Sequence, residues 1–300
     1  MKASLSTSLL RSVLYVPGSN PKTLAKAPTL SADGLILDLE DSVAPEAKNQ
    51  ARLNVLSTLH ATRDTPNLVR VVRINAIHTD LWHDDLTITL PGRPDAVAIS
   101  KVESPDELEG PAALLRHLEE TQGHACRLWA MIETPLGVLN ALAIARHPLV
   151  TCLVMGTSDL ARALIIPGDP QRIGLRHALQ QTILAARAAH VQIIDGVYVN
   201  IRDPEGFAAE CLDGARLGFD GKSLIHPSQI APANQTFLPG ADEALADQTI
   251  VAAWNEARAR GEEICVVHGK LVERLHADQA AQRLARWEMA QKNSKSNPEI

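Results

Sequence analysis

Polar and charged residues follow one apolar segment of this chain after another, and each of those segments is a candidate β-strand. The C-terminal ends of parallel strands meet at one edge of a sheet or one mouth of a barrel, so residues at these positions would share a site. Carboxylates together with arginine and lysine suit a hard metal ion and an anionic substrate. The residues at these positions are Asp38, Glu40, Asp41, Arg73, Asn75, Lys101, Glu103, Glu133, Asp159, Asp195, Lys222 and His226.

Glu133 and Asp159 are the candidate metal ligands. Each follows an apolar segment and precedes a turn or a helix start. Two carboxylates on adjacent strands, completed by water and substrate oxygens, are a common way to bind Mg²⁺, and Mn²⁺ would suit the same ligands. Zinc is less well matched, because none of the eleven histidines falls in an H-E-x-x-H pairing. Helix capping is the competing interpretation of both carboxylates.

Arg73 lies within Val71-Val-Arg-Ile-Asn75 and would place a guanidinium at the same edge. We expect it to clamp a substrate carboxylate or keto acid through two hydrogen bonds. The alternative is a structural salt bridge to Glu40 and Asp41. These two acidic residues are themselves interpreted as an outer shell that orients metal-bound waters, with a solvated loop as the alternative.

A glycine-containing loop near the N-terminus, Tyr15-Val-Pro-Gly-Ser-Asn-Pro-Lys22, enters a short basic helix that also carries Lys26. Lys22 and Lys26 are four residues apart and share a helix face, so they could hold phosphates. Gly221-Lys-Ser223 does not extend to a P-loop, because Arg216 stands where that motif needs glycine.

Eight apolar segments separated by helical periodicity indicate a repeated βα pattern. Most are continuous apolar runs, which is typical of parallel strands covered on both faces. We therefore predict an α/β fold, a closed (β/α)₈ TIM barrel; a doubly wound open sheet is less consistent, because no G-x-G-x-x-G follows a strand. The predicted strands are Arg11–Pro17, Gly34–Leu39, Leu68–Ile74, Ala96–Lys101, Arg127–Ile132, Val150–Met155, Gln192–Val199 and Phe219–Ile225.

The predicted helices lie between these strands, and several open with proline, whose missing N–H costs nothing at that position. After about Pro239 the βα pattern stops. We expect a barrel over residues 1–239, a C-terminal helical lid over 240–291 that packs on a neighbouring subunit, and a disordered tail over 292–300. The predicted helices are Pro45–His60, Leu81–Leu90, Pro105–Thr121, Pro135–Arg146, Ile173–His190, Pro204–Leu217, Ala241–Arg260 and Leu271–Met289.

Composition limits the class of protein. Among 300 residues 45% are hydrophobic, which excludes a disordered chain, and the net charge of −6 argues against general nucleic-acid binding. The four cysteines form neither a metal knuckle nor a dense disulfide framework, so we expect a cytoplasmic protein. No apolar run approaches the length of a membrane span.

Several of these segments resemble the CitE-like branch of the HpcH/HpaI aldolase and citrate lyase family. The match runs in order from about residue 11 to residue 290. The segments that carry it are Arg11-Ser-Val-Leu-Tyr-Val-Pro-Gly18, Leu37-Asp-Leu-Glu-Asp-Ser-Val43, Val72-Arg-Ile-Asn75, Lys101-Val-Glu-Ser-Pro105, Ile132-Glu-Thr-Pro-Leu-Gly-Val138, Asp195-Gly-Val-Tyr198 and Gly218-Phe-Asp-Gly-Lys-Ser-Leu-Ile-His-Pro227.

This resemblance implies a Mg²⁺-dependent carbon–carbon lyase acting on a 3-hydroxyacyl-CoA, such as citramalyl-CoA or malyl-CoA, and assembling as a homotrimer or hexamer. By motif, Glu133 and Asp159 match the metal ligands and Arg73 matches the arginine that contacts the substrate. The positions that match substrate or CoA contacts are Tyr15, Lys22, Lys26, Ile194 and Asp195, to which we add Arg11 as a further phosphate contact.

Glu273 departs from the family pattern. The resemblance implies that an aspartate in Gly-x-Met-Ile/Val-Asp completes a neighbouring subunit's site, whereas this chain has Gly269-Lys-Leu-Val-Glu273. We expect Glu273 to act as the general acid of a retro-Claisen cleavage that yields acetyl-CoA and pyruvate or glyoxylate. Alternatives are cleavage of a free acid, hydrolysis of malyl-CoA or malate synthesis at the same metal, and a non-catalytic CoA-binding homologue.

Overall fold

The computed structural model describes residues 8–295, and side chains as far as residue 293. Its larger unit is a closed barrel of eight parallel strands in sequence order, in which Ser12 of the first strand pairs with Lys222 of the last. The predicted TIM barrel is therefore confirmed. The strands are β1 (Ser12–Pro17), β2 (Gly34–Asp38), β3 (Val69–Arg73), β4 (Ala96–Ile99), β5 (Arg127–Ile132), β6 (Val150–Met155), β7 (Gln192–Asp195) and β8 (Gly221–Leu224).

The barrel interior is filled by side chains that alternate along the strands. Val13, Ile36, Val71, Ala98 and Met131 belong to one buried cluster inside the barrel. Since this layer closes the interior, polar side chains from the ends of the strands must gather above it, at the C-terminal mouth.

Helices follow the strands as the sequence predicts, and several start at a side-chain cap. Thr134 accepts a hydrogen bond from the Gly137 N–H at 3.0 Å, and Asp203 accepts one from the Gly206 N–H at 2.9 Å. The helices are α1 (Pro21–Lys26), α2 (Lys48–Ala61), α3 (Leu81–Thr89), α4 (Glu109–Gln122), α5 (Pro135–Leu139), α6 (Ala141–Ala145), α7 (Thr157–Ala163), α8 (Arg176–Ala189), α9 (Pro204–Leu217), α10 (Ile230–Thr236), α11 (Ala241–Ala259) and α12 (Arg274–Lys295).

The helix predicted over Pro135–Arg146 is divided into α5 and α6 at Asn140. The Asn140 backbone leaves helical geometry, with φ −95° and ψ 3°, and its side-chain amide donates to the Glu103 carbonyl at 2.7 Å. This side-chain bond to a neighbouring loop competes with the regular helix, as asparagine commonly does.

A second compact unit begins at Gln235, slightly before residue 239, where the barrel is predicted to end. It contains α11, α12 and a hairpin of two strands, β9 (Ile264–Val267) and β10 (Lys270–Glu273). The first three residues of the helix predicted from Leu271 belong instead to β10, so the prediction is wrong there. The turn at His268 and Gly269, both at positive φ, allows these residues to pair with β9.

Trp254, Val267, Val272 and Ala277 form the core of this second unit. Helix α12 extends to Lys295, so it includes the first residues of the expected tail, and residues 296–300 lie outside the described part of the chain. No helix within the described residues is long and apolar enough to cross a membrane.

Candidate active site

A cavity of about 410 Å³ opens at the C-terminal ends of the barrel strands. It brings together six of the residues singled out from the sequence, which come from five different strands or the segments that follow them. These six residues are Tyr15, Asp38, Asp41, Arg73, Glu133 and Asp159.

Glu133 is a buried carboxylate whose charge is not fully compensated. Its residue is 2% exposed, and its Oε1 finds no hydrogen-bond partner among the described residues. Burial, and next the charge of Glu40, raise the pKa of Glu133 to about 8. A bound cation would supply the compensation that this carboxylate needs.

Gly156, directly after β6, makes the room in which Glu133 lies. A Cβ atom at position 156 would lie 2.2 Å from the Glu133 Cγ, so every residue except glycine would displace the carboxylate. The backbone of one strand end is thus shaped around a side chain from the neighbouring strand end.

The capping interpretation of the two candidate ligands does not describe the structure. Thr134, not Glu133, caps α5, and Asp159 lies within the first turn of α7, whose N-cap is Gly156. Asp159 instead forms ion pairs with Arg162 at 2.5 Å and with Lys101 at 3.9 Å. Its side chain is 28% exposed, so it remains accessible to a ligand in the cavity.

The residues present fit a hard cation held by few protein ligands. Within the described residues, no three histidine, cysteine, aspartate or glutamate side chains are grouped so that they could hold a metal by themselves. Glu133 and Asp159 would hold Mg²⁺ as a pair, with water and substrate supplying the other oxygens, which is the coordination that Mg²⁺ prefers.

Arg73 is fixed mainly by Asp38, a partner that the sequence argument did not assign. Its Nε lies 2.6 Å from Asp38 Oδ1 and its Nη2 lies 2.7 Å from Asp38 Oδ2. Its Nη1 lies 2.8 Å from Glu40 Oε2, and its guanidinium carbon is 5.1 Å from the centre of the Tyr15 ring. Arg73 therefore both forms the salt bridge of the alternative interpretation and lines the cavity.

The acidic residues after β2 occupy different environments. Glu40 is buried and is not part of the cavity lining; its Oε1 accepts a hydrogen bond from Ser100 at 2.6 Å, and burial raises the pKa of Glu40 above its usual value. Glu40 Oε2 is close to Arg73, but the angles are not those of a hydrogen bond. The Asp41 side chain is 63% exposed and lines the cavity.

Arg11 does not reach the cavity. It precedes β1, at the N-terminal end of the barrel, and its Nε and Nη2 bind the two carboxylate oxygens of Asp33 at 2.8 and 2.7 Å. Arg11 therefore lies at the end of the barrel opposite the cavity, and the predicted phosphate contact at this residue is wrong.

Ile194 and Asp195 do not line the cavity either. Ile194 lies in the apolar barrel core. Asp195 is fully buried, accepting hydrogen bonds from Arg172 at 2.8 and 2.9 Å and from Lys222 at 2.9 Å. Its position supports a structural contribution at the end of β7, where Val197 is the nearby residue that faces the cavity.

The remaining predicted residues lie outside the cavity lining. Lys22 and Lys26 are exposed on α1. Glu273 ends β10 in the second unit, and its backbone N–H donates to His276 Nδ1 at 3.1 Å.

Several cavity residues were missed from the sequence. Thr157 and Ser158, between Gly156 and Asp159, contribute hydroxyl groups, and Met131 and Met155 contribute the apolar wall. The serine and threonine were available as a signal, since a Gly-Thr-Ser-Asp segment at a strand end places polar groups around the first turn of the next helix.

The fold and the cavity together define an enzyme of the (β/α)₈ class, with two carboxylates and an arginine converging at the C-terminal mouth. The chain belongs to the HpcH/HpaI aldolase/citrate lyase family, whose family model matches residues 11–227. The resemblance noted from the sequence is therefore confirmed.

Individual relatives cover nearly the whole chain. A (3S)-malyl-CoA thioesterase of Cereibacter sphaeroides is 43% identical over 278 residues, or 93% of this chain and 94% of that protein. The human mitochondrial citramalyl-CoA lyase is 31% identical over 280 residues, covering 88% of this chain and 81% of that protein. The structure of CitE from Mycobacterium tuberculosis with magnesium, acetoacetate and coenzyme A matches with a TM-score of 0.74 at 28% identity, covering 94% of this chain and 100% of that one.

Proposed function

We propose that the protein is a Mg²⁺-dependent lyase that cleaves a 3-hydroxyacyl-CoA such as (S)-citramalyl-CoA or malyl-CoA, releasing acetyl-CoA and pyruvate or glyoxylate. The observation that carries the proposal is Glu133, a buried carboxylate in a cradle formed by Gly156, in one cavity with Asp159 and Arg73. The human citramalyl-CoA lyase supports the substrate class.

Glu133 and Asp159 would hold Mg²⁺, which would supply Lewis-acid polarisation of substrate oxygens. The chain's own residues do the rest. Arg73, oriented by Asp38, stabilises the negative charge of the keto acid as the carbon–carbon bond breaks. Asp41, the exposed carboxylate in the cavity, accepts the proton that leaves the hydroxyl group.

The acetyl-CoA enolate left by the cleavage needs a proton on carbon. We assign this step to Glu273 of a neighbouring subunit in a homotrimer or hexamer, with the second unit of each chain serving as the lid. Glutamate is one methylene longer than the aspartate of the family pattern, so the position of its carboxyl group will set how fast this proton transfer occurs.

Lys22 and Lys26 complete the proposal as contacts for the phosphates of CoA. Both are exposed, four residues apart on α1, where they would attract an anion despite the net charge of −6. We also place the protein in the cytoplasm, a proposal supported by Cys126, Cys152, Cys211 and Cys265, all of which are free thiols.

Hydrolysis of the thioester is the second candidate. It is favoured by the relatives of 43% and 44% identity that are named (3S)-malyl-CoA thioesterase. The same metal and arginine would bind the same malyl-CoA, but water would attack the thioester carbonyl and release malate and CoA.

Product analysis separates these reactions. The purified protein is incubated with malyl-CoA and citramalyl-CoA, with Mg²⁺ or with EDTA, and acyl-CoA species, keto acids and hydroxy acids are measured by chromatography. Acetyl-CoA with glyoxylate or pyruvate supports the lyase, whereas free CoA with the hydroxy acid supports the hydrolase. In a parallel incubation, cleavage of a free 4-hydroxy-2-oxo acid into pyruvate and an aldehyde would indicate an aldolase of free acids, and equal turnover of the thioesters in EDTA would refute the role of the metal.

A further inference from the structure

Lys101 occupies an unusual backbone position beside the candidate metal site. It follows β4 with φ +52°, in the left-handed region that residues with a Cβ atom rarely adopt. Such a conformation costs free energy and persists only where the surrounding structure holds it. The Lys101 side chain is 32% exposed, so its end is neither fully buried nor free in solvent.

The Lys101 ammonium lies near two carboxylates from different strand ends. Its Nζ is 3.8 Å from Glu40 Oε1 and 3.9 Å from Asp159 Oδ2. Both distances are too long for a hydrogen bond, so the attraction is one between charges rather than a directed bond. Among the described residues, Lys101 is the cation that pairs with both of these carboxylates.

The other two cations that form ion pairs with these carboxylates are engaged differently, and Lys48 donates to the backbone carbonyl of Glu40 rather than to its carboxylate. Arg73 forms its two short hydrogen bonds with Asp38. Arg162 pairs with Asp159 alone, and its side chain is 78% exposed, so solvent screens its charge. Lys101 therefore makes the ion pairs that link the candidate ligand Asp159 with the buried Glu40.

We propose that Lys101, held between Glu40 and Asp159, is a tethered cation that competes with the divalent metal for Asp159, and that it moves aside when the metal binds. This inference rests on the proposed function in one respect, the assignment of Glu133 and Asp159 as metal ligands. An ammonium on a flexible four-carbon stem can leave the carboxylates without any backbone movement. By competing, it weakens the metal site and supplies positive charge whenever the metal has left.

The consequence is opposite to that expected for an ordinary supporting residue. Two cations beside the same carboxylates repel each other, so removing the lysine charge should tighten metal binding by about tenfold or more. A residue that merely held the ligands in place would, when removed, weaken metal binding.

Calorimetric titration of the full-length protein with Mn²⁺ and with Mg²⁺ tests this. Lys101→Met, which keeps the aliphatic stem, is expected to bind each metal about tenfold more tightly than the wild type, whereas Lys101→Arg should stay within about threefold of it. Arg116→Met is the matched control, because it removes one positive charge from an exposed pair with Glu109 on the outer helix α4. It should leave the metal affinity unchanged.

The movement of the side chain has its own readout. Amine labelling of Lys101, followed by mass spectrometry, should increase when saturating Mg²⁺ is added, relative to the exposed Lys22 in the same sample. Unchanged or decreased labelling would overturn the displacement.

The possible failures are distinguishable. If neither the wild type nor Glu133→Gln binds metal, the proposed function fails and this inference fails with it. If the wild type binds metal but Lys101→Met binds equally or more weakly, only the inference is overturned. Thermal melting in EDTA checks the fold of each variant, and Lys101→Gln repeats the test if Lys101→Met does not fold.

Discussion

Asp38 holds Arg73 through both carboxylate oxygens, at 2.6 and 2.7 Å, and the two residues are direct partners in the register of β2 and β3. The pairing is nearly inaccessible to water, with side-chain exposures of 2% for Asp38 and 10% for Arg73. Two parallel hydrogen bonds fix the plane of the guanidinium as well as its place. Asp38 therefore determines how Arg73 faces the cavity.

Replacing Asp38 with asparagine should impair both stability and activity. Removing one partner of a buried ion pair leaves the arginine charge with only its pairs to Glu40 and Asp41, which costs up to about 3–5 kcal/mol of unfolding free energy. A misplaced guanidinium should also lower kcat/KM on the order of 10²-fold. Urea denaturation and steady-state kinetics measure the two effects. Glu119→Gln, which breaks the half-exposed pair with Arg127, is the control and should change neither.

The contribution of the Asp38–Arg73 pair should disappear in acid. Burial alone would raise the pKa of Asp38, but the hydrogen bonds and charge of Arg73 outweigh it and hold that pKa below 3.8. A carboxylate with a lowered pKa in the folded state stabilises the protein above its unfolded pKa, and this stability is lost as the pH falls through the folded pKa. The difference in unfolding free energy between wild type and Asp38→Asn should be constant above about pH 5 and shrink below pH 3.8. A constant difference down to pH 2 would contradict the assignment.

The eight strands could be predicted because buried parallel strands are apolar on both faces, so a single sequence shows them as continuous runs. Their ends were less certain. The strand predicted over Gln192–Val199 stops at Asp195, although Val197 and Val199 continue the apolar run. Val197 lines the cavity and Val199 is 68% exposed. The apolar side chain of neither residue therefore reflects pairing within the barrel sheet.

Asp41, Arg73, Glu133 and Asp159 of the candidate site could be predicted from their position at strand ends, but the partners that hold them could not. The Asp38–Arg73 pair depends on strand register, which no spacing within one strand reveals. The network around Asp195 includes Arg172, a loop residue 23 positions away. The sequence already argues against Arg11 as a phosphate contact, because a residue at the start of a strand lies at the end of the barrel opposite the active site.

Glu133→Gln should abolish metal binding and yet stabilise the protein in EDTA. The folded pKa of about 8 lies above the usual 4.5, so without metal the stability from this group is full below pH 4.5 and is lost as the pH rises towards 8. A neutral glutamine avoids that loss, on the order of 3 kcal/mol at pH 7 since one pKa unit is about 1.4 kcal/mol. Thermal melting in EDTA should show the higher midpoint for the variant at pH 7 and no difference near pH 4. Turnover should fall by at least about 10²-fold. A variant that melts lower at both pH values would argue against an uncompensated carboxylate.

Gly156→Ala should disrupt the metal site while leaving the barrel folded. The new methyl group would lie 2.2 Å from Glu133 Cγ, so the carboxylate must move or the strand end must shift. We expect the stabilisation by Mg²⁺ in a thermal melt to be lost and kcat to fall about 10²-fold or more. Gly168→Ala is the matched control, because a Cβ atom there meets nothing within 4 Å. Normal Mg²⁺ stabilisation of Gly156→Ala would show that Glu133 is not held as described.

Glu273 can be assigned to the neighbouring subunit by mixing two inactive variants. If each site combines Glu133 from one chain with Glu273 from the next, co-expressed Glu133→Gln and Glu273→Gln chains should regain activity in about one quarter of their sites on random assembly, and in about one third of the sites of trimers isolated through both tags. These sites pair an intact barrel with an intact neighbouring lid. Mixing Glu133→Gln with Asp159→Asn provides the control, since every barrel then lacks a metal ligand and no activity should return. The variants are compared by specific activity after purification through different tags on the two chains. If Glu273 serves its own chain, or serves no proton transfer, the first mixture will be no more active than the average of its two components.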